Sequence, residues 1–319
     1  MDDRERAGVG AIARLGRETR LARREIRQGH FQRSLALVAA LGSIVSGFEA
    51  YTQHQRGAFD DWLMWTPVAL TPPMIGAACA TLVSRRAARR VLPVVSLAAL
   101  TDGVVGFIYH LKGIRGRPGG FKLGQYNIVM GPPIFAPLLM SSVGVLGLLA
   151  SWLRPEVGPE LLRTEPTAVA PLATASPLAR VEREVAHGRF QQGMALTAAL
   201  FATLAGGEAY FEHLRGSYNQ RVMWTPVWVT PVMVGAAVGA ARSPQVARRV
   251  LPWVSAVTFL DGALGFFLHL RGVKRMPGSF ANLQFNITMG PPLFAPLLFC
   301  LVGLLGLIAS LMRREEGPA

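Results

Sequence analysis

The chain has 319 residues, 51% of them hydrophobic and only 16% charged, a balance too apolar for a water-soluble globule of this length. Its formal net charge of +14 would suit a nucleic-acid binder. Most of the arginines, however, sit between long apolar stretches, where positive charge sets membrane orientation, so membrane lipid replaces nucleic acid as the expected partner.

A hydrocarbon core about 30 Å thick needs roughly 20 apolar residues per crossing helix. Residues 1–33 form a basic segment, Arg4 to Arg33, ahead of the first such stretch. That run is too long for a cleavable signal peptide, so the first span is expected to act as the anchor itself. Eight stretches then follow, at Ser34 to Thr52, Met64 to Ser84, Val91 to His110, Ile128 to Leu153, Gly193 to Glu212, Val222 to Ala241, Val250 to His269 and Ile287 to Met312. The alternation that a membrane barrel strand requires is absent, which leaves helices as the spanning structure. Arg85, Arg86, Arg89 and Arg90 follow the second stretch and Arg248 and Arg249 the sixth. By the positive-inside rule these loops and both termini are cytoplasmic in a cell (inner) membrane, although Lys112, Arg115, Arg117, Lys274 and Arg275 lie in the opposite loops.

Placing each residue on the one 159 positions later aligns the halves without a gap from about Arg24 to Leu153, with roughly half of the positions identical. Met64 to Val68 matches Met223 to Val227, and Met130 to Pro133 matches Met289 to Pro292. The expected fold is therefore all-α: a polytopic transmembrane bundle of eight helices, made as a tandem, parallel duplication of a four-helix unit. The first unit covers residues 34–153 and the second 190–312. A cytoplasmic linker rich in Pro, Ala, Thr and Glu joins them over 154–189, with a short surface helix expected near Leu178 to Val185, and 313–319 form a tail. Pro67, Pro72, Pro132, Pro133 and Pro137 predict kinks in the second and fourth spans. Such kinks serve packing or line a wet cavity. Cys79 and Cys300 lie inside spans and are not equivalent, so neither a disulfide nor a thiolate metal site is expected.

Ionisable residues inside a span cost about 2.5–3.5 kcal/mol on insertion scales and need a reason to be there. Glu49 pairs with Glu208, Asp102 with Asp261, His54 with His213 and His110 with His269 at the 159-residue offset. The four histidines fall at the extracytoplasmic ends of the first and third spans. Below His54 lie Gly47 and Ala50, and below His110 lie Gly103 and Gly106, spacings that put each set on one helical stripe. Gly206, Ala209, Gly262 and Gly265 repeat the pattern beneath His213 and His269. Two small-residue grooves, each topped by histidine, would accommodate a haem b with paired imidazoles on its iron, one per unit. The same stripes also serve close helix packing without any cofactor.

A non-haem transition metal is the competing cofactor, on the four histidines with Glu49 and Glu208 added. Asp102 and His110 are eight residues apart, about 12 Å along a helix, too far to share one ion. The carboxylates are alternatively hydrogen-bonded to Asn127 or Gln125 (with Asn286 and Gln284 as the matching pair), or relay protons to a quinone or substrate.

No Walker loop, GxSxG elbow, HExxH helix or dinucleotide-type glycine turn occurs, and no catalytic residue is identified. The leading expectation is a membrane redox subunit exchanging electrons with a periplasmic or quinone partner. The rival is a small-solute or proton-coupled transporter using Glu49, Asp102, Glu208 and Asp261, and a structural membrane subunit is the third reading.

Overall fold

A computed structural model describes residues 30–152 and 189–312. Most of the basic N-terminal segment and of the linker, including its expected surface helix, and all of the tail lie outside those residues. The described residues are mostly helical, with no strand among them.

In chain order, α1 (His30–Arg56) is followed by a 3-10 turn at Trp62–Trp65 and α2 (Thr66–Ala80). A π turn at Ala87–Val91 opens α3 (Leu92–Gly116), and a 3-10 turn at Gly120–Leu123 leads into the short α4 (Gly124–Met130), then α5 (Pro137–Trp152). The second half repeats the order with α6 (Arg189–Arg215), α7 (Thr225–Arg242), a short α8 (Pro244–Arg249), α9 (Leu251–Arg275), a short α10 (Leu283–Met289) and α11 (Leu297–Met312). Among the described residues, six helical segments are long and apolar enough to cross a bilayer: Leu35–Arg56, Trp62–Ala80, Ala87–Gly116, Gln191–Arg215, Arg221–Arg242 and Leu251–Arg275.

The fourth and eighth stretches, expected as single spans, are each broken in two. Residues 131–136 and 290–296 are non-helical, which leaves α5 and α11 at 16 residues each. Proline supplies the reason. Pro132 and Pro133 lack the N–H a helix needs and force the residues before them into extended backbone, and Gly131 is extended at φ −90°, ψ −166°. A side chain at Gly131 would meet the Asn127 carbonyl oxygen at 2.3 Å, so only glycine allows the sharp exit from α4. Pro72 and Pro73, in contrast, sit within α2 without breaking it.

Within the first half, α1 packs on α2 and α5, and α3 on α2 and α5, so α1 and α3 sit on a diagonal; α6, α7, α9 and α11 repeat this. α1 and α6 are the central helices, with 56% and 44% of their apolar windows buried against 17–22% for the other four spans. Their inward faces are built from small residues, Ala36, Ala39, Ala40 and Ser43 on α1 and Ala195, Ala198, Ala199 and Ala202 on α6, which let the helix backbones approach closely. The outer surface is the reverse of a soluble protein's. Leu41, Val94, Leu97, Leu200, Val257 and Leu260 are all more than half exposed, as a lipid-facing surface requires. Trp62 and Trp253 are 74% and 75% exposed.

Candidate functional site

The chemistry of the molecule concentrates around the two helix breaks. A non-helical segment at membrane depth is stable only if its N–H and C=O groups find partners inside the protein. Here ionisable side chains supply them, mostly from the opposite half. Glu208 on α6 accepts the Phe135 N–H through Oε2 at 2.7 Å. Arg215, two turns further along α6, donates from Nε to the Val129 carbonyl and from Nη2 to the Gly131 carbonyl, both at 2.7 Å. In the other direction, Glu49 on α1 accepts the Phe294 N–H at 3.1 Å, and Arg56 donates to the carbonyls of Thr288 and Gly290. Each partner lies 159 residues from its counterpart, so the two halves hold one another through the same pair of clamps. Aromatic contacts complete the joint: Phe48 meets Phe294 at 4.7 Å, and Phe135 packs over Gly207.

The break also receives a histidine from its own half. His110 Nδ1 is 2.6 Å from the Pro133 carbonyl and His269 Nδ1 is 2.6 Å from that of Pro292. His54 and His213 lie 2.7 Å from the carbonyls of Met64 and Met223, at the entry to α2 and α7. A carbonyl can only accept, so all four rings carry their proton on Nδ1, leaving Nε2 as the nitrogen available to each. The rings come together in pairs, His54 with His110 at 6.4 Å between centroids and His213 with His269 at 6.5 Å. The expected pairing of first- and third-span histidines is therefore what the fold brings together.

The glycine stripes do not form the expected slit. A Cβ at Gly47 would lie 1.9 Å from the Thr71 hydroxyl, and one at Gly206 2.1 Å from that of Thr230, because α2 and α7 press against these positions. Gly103 and Gly262 receive the carbonyls of Pro137 and Pro296 at 2.5 and 2.7 Å, and Gly106 and Gly265 receive the rings of the same prolines. Ser141 then donates to the Leu100 carbonyl at 3.0 Å, tying α5 to α3. Glycine is used at all six positions to seat a neighbouring helix, so a haem has no slot along them.

The histidines and Glu49 or Glu208 are not brought together as a mixed set among the described residues. Both carboxylates are spent on the opposite half's break, and among the described residues no three His, Cys, Asp or Glu side chains are placed to share an ion. Gln125 and Gln284 are exposed. Asn127 is buried, but its Nδ2 donates to the carbonyls of Pro118 and Gly120 at 3.0 and 2.8 Å, and Asn286 does the same to Pro277 and Ser279 at 3.0 and 2.7 Å. These amides fold the tight turn before α4 and α10; they do not reach Glu49 or Asp102.

Asp102 and Asp261 are half-buried on α3 and α9. Asp102 lies beside the Thr66 hydroxyl and within electrostatic reach of His54, and Asp261 lies beside Thr225. Each threonine already gives its single hydroxyl proton to a backbone carbonyl, Thr66 to Leu63 at 2.8 Å and Thr225 to Val222 at 3.0 Å.

No protein-family model, curated protein or solved structure matches the chain. Sequence reasoning overlooked Arg56 and Arg215, although both are preserved at the 159-residue offset and each follows its glutamate by seven residues, two turns along one helical face.

Proposed function

We propose that the chain crosses a cell (inner) membrane eight times as a tandem duplication of a four-helix unit, with both termini cytoplasmic, and works as a proton-coupled transporter of small solutes. In each half the short helix, the break and the 16-residue helix together make the fourth crossing. The observation that carries the reading is the reciprocal clamp. In a protein whose buried core is apolar, the contact between halves at the helix breaks is made of glutamates and arginines bound to unwound backbone. Ionisable groups are costly at this depth and are retained where charge has work to do. Broken helices at the junction of two repeats are the usual substrate walls of transporters built from parallel repeats.

The aspartates supply the second support. Asp102 is half-buried on an apolar span beside the Thr66 hydroxyl and within electrostatic reach of His54, a placement that is costly unless the carboxyl group is used. Asp261 is likewise half-buried beside Thr225. Asp102 and Asp261 are the proton carriers in this reading, and protonation of Glu49 loosens its clamp on Phe294 so that the halves can move. In proteoliposomes loaded with a pH-sensitive dye and given a low-molecular-weight filtrate of cell extract, internal acidification should depend on the filtrate. It should vanish in the Asp102→Asn, Asp261→Asn double variant. An unchanged signal in that variant rejects the reading.

A second reading rests on the histidine pairs. Two imidazoles on one metal, each at about 2.0–2.1 Å from it, would have ring centroids about 6 Å apart, close to the spacing seen here. A second hydrogen bond from each ring to a carbonyl is the usual companion of metal-bound histidine. Metal analysis of the purified protein and of His110→Ala, His269→Ala distinguishes a transition-metal centre from rings that only hold backbone.

A further inference from the structure

The two clamps are not identical, and the difference has a chemical consequence. In the first half the residue one turn after Glu49 is Gln53, whose amide donates to Glu49 Oε1 at 2.7 Å. Both oxygens of Glu49 are thereby satisfied, one by Gln53 and the other by the Phe294 N–H. In the second half the equivalent position is Glu212. An ionised carboxylate has no proton to give. Accordingly Glu208 Oε1 is sealed from solvent without any partner, while Oε2 holds the Phe135 N–H. Glu212 itself pairs with Arg215 at 3.2 Å.

Charge balance points the same way. The first clamp sets one glutamate against Arg56 and is neutral. With both glutamates ionised, the second would set two against Arg215 and leave one uncompensated negative charge in a medium that penalises it severely. The charged side chains facing the pair are Arg215 on α6 and Arg56 and Glu49 on α1; the break contributes only the backbone N–H groups of Phe135 and Ala136.

We infer that Glu208 and Glu212 together hold one proton, which Glu208 carries on Oε1 and donates to the Glu212 carboxylate, making this pair a proton-binding site present in the second half alone. The proton completes an unbroken chain. The Phe135 N–H binds Glu208, Glu208 binds Glu212, Glu212 pairs with Arg215, and Arg215 holds the carbonyls of Val129 and Gly131. Every member is then satisfied and the clamp is neutral, like its counterpart. The role of this site in coupling rests on the transporter reading, whereas its protonation does not.

The test is infrared spectroscopy of the full chain in lipid nanodiscs at neutral pH. Wild type should show a protonated-carboxyl C=O component, shifted in D2O, that is lost equally in Glu208→Gln and in Glu212→Gln. Glu212→Gln recreates the satisfied pairing of the first half, so it should fold and melt at or above the wild-type temperature. Gln53→Glu should install a second pair and add a component. A wild-type difference spectrum lacking the component, or its survival in Glu212→Gln, overturns the proposal. If the component behaves as stated but Glu212→Gln acidifies proteoliposomes as wild type does, the proton site stands and its coupling role falls.

Discussion

Glu208 and Phe135 belong to different halves of the chain, 73 residues apart in sequence, yet the carboxylate of one holds the backbone N–H of the other at 2.7 Å. Glu49 and Phe294 make the mirror contact at 3.1 Å. The N–H groups of Phe135 and Phe294 find their carboxyl acceptors in the opposite half, so each helix break is held in part from across the chain.

Removing an arginine from a clamp should destabilise the whole protein. Arg215→Leu strips partners from the Val129 and Gly131 carbonyls and leaves Glu212 without its counter-charge, a loss expected at about 3 kcal/mol. Thermal unfolding in detergent should show a drop of several degrees, whereas a neutral effect would mean that water already satisfies those carbonyls.

Glycine substitutions separate packing from cofactor binding. Gly103→Val places a branched side chain where the Pro137 carbonyl sits 2.5 Å away and should prevent folded expression, while Gly76→Val, with open space around it, should express as wild type. Equal tolerance at both sites would reopen the slit that the packing closes.

Much of the scaffold was legible in advance. The all-helical architecture, six of the eight expected spans and the meeting of His54 with His110 follow from patterns of period and spacing, which local helix geometry obeys. The glycine stripes misled because close packing against a helix and close approach to a flat ligand demand the same small residue, and only the position of α2 and α5 decides between them. The clamps were missed for another reason. Glu49 was sought against residues of its own half, and no local rule says that a carboxylate will bind backbone 245 positions away.

Asn127 supports the break from its other side. Asn127→Ala deprives the Pro118 and Gly120 carbonyls of their donor and should cost about 1–3 kcal/mol, since buried acceptors are left unmade. Limited proteolysis in the 117–123 turn should accelerate several-fold, and Asn286→Ala should do the same at 276–282.

The histidines should prove structural even where they bind nothing. His110→Ala exposes the Pro133 carbonyl and should lower stability by about 1–3 kcal/mol. His110→Gln, which can still donate to that carbonyl, should recover part of the loss by the same unfolding measurement. No recovery would count against a backbone-holding role.

The central claim is that ionisable clamps join the halves and that protonation of Glu49 releases the clamp on Phe294. Spin labels at Gly57→Cys and Gly216→Cys, both exposed, with Cys79 and Cys300 replaced by alanine, report the separation of the halves by electron–electron double resonance. Acidification from about pH 8 to about pH 5 should add a longer distance in wild type, because both oxygens of Glu49 accept hydrogen bonds and its protonation must break one, loosening the hold on Phe294. The Glu49→Gln variant should give one pH-independent distribution. A single unchanged distance in wild type across that range would contradict the account.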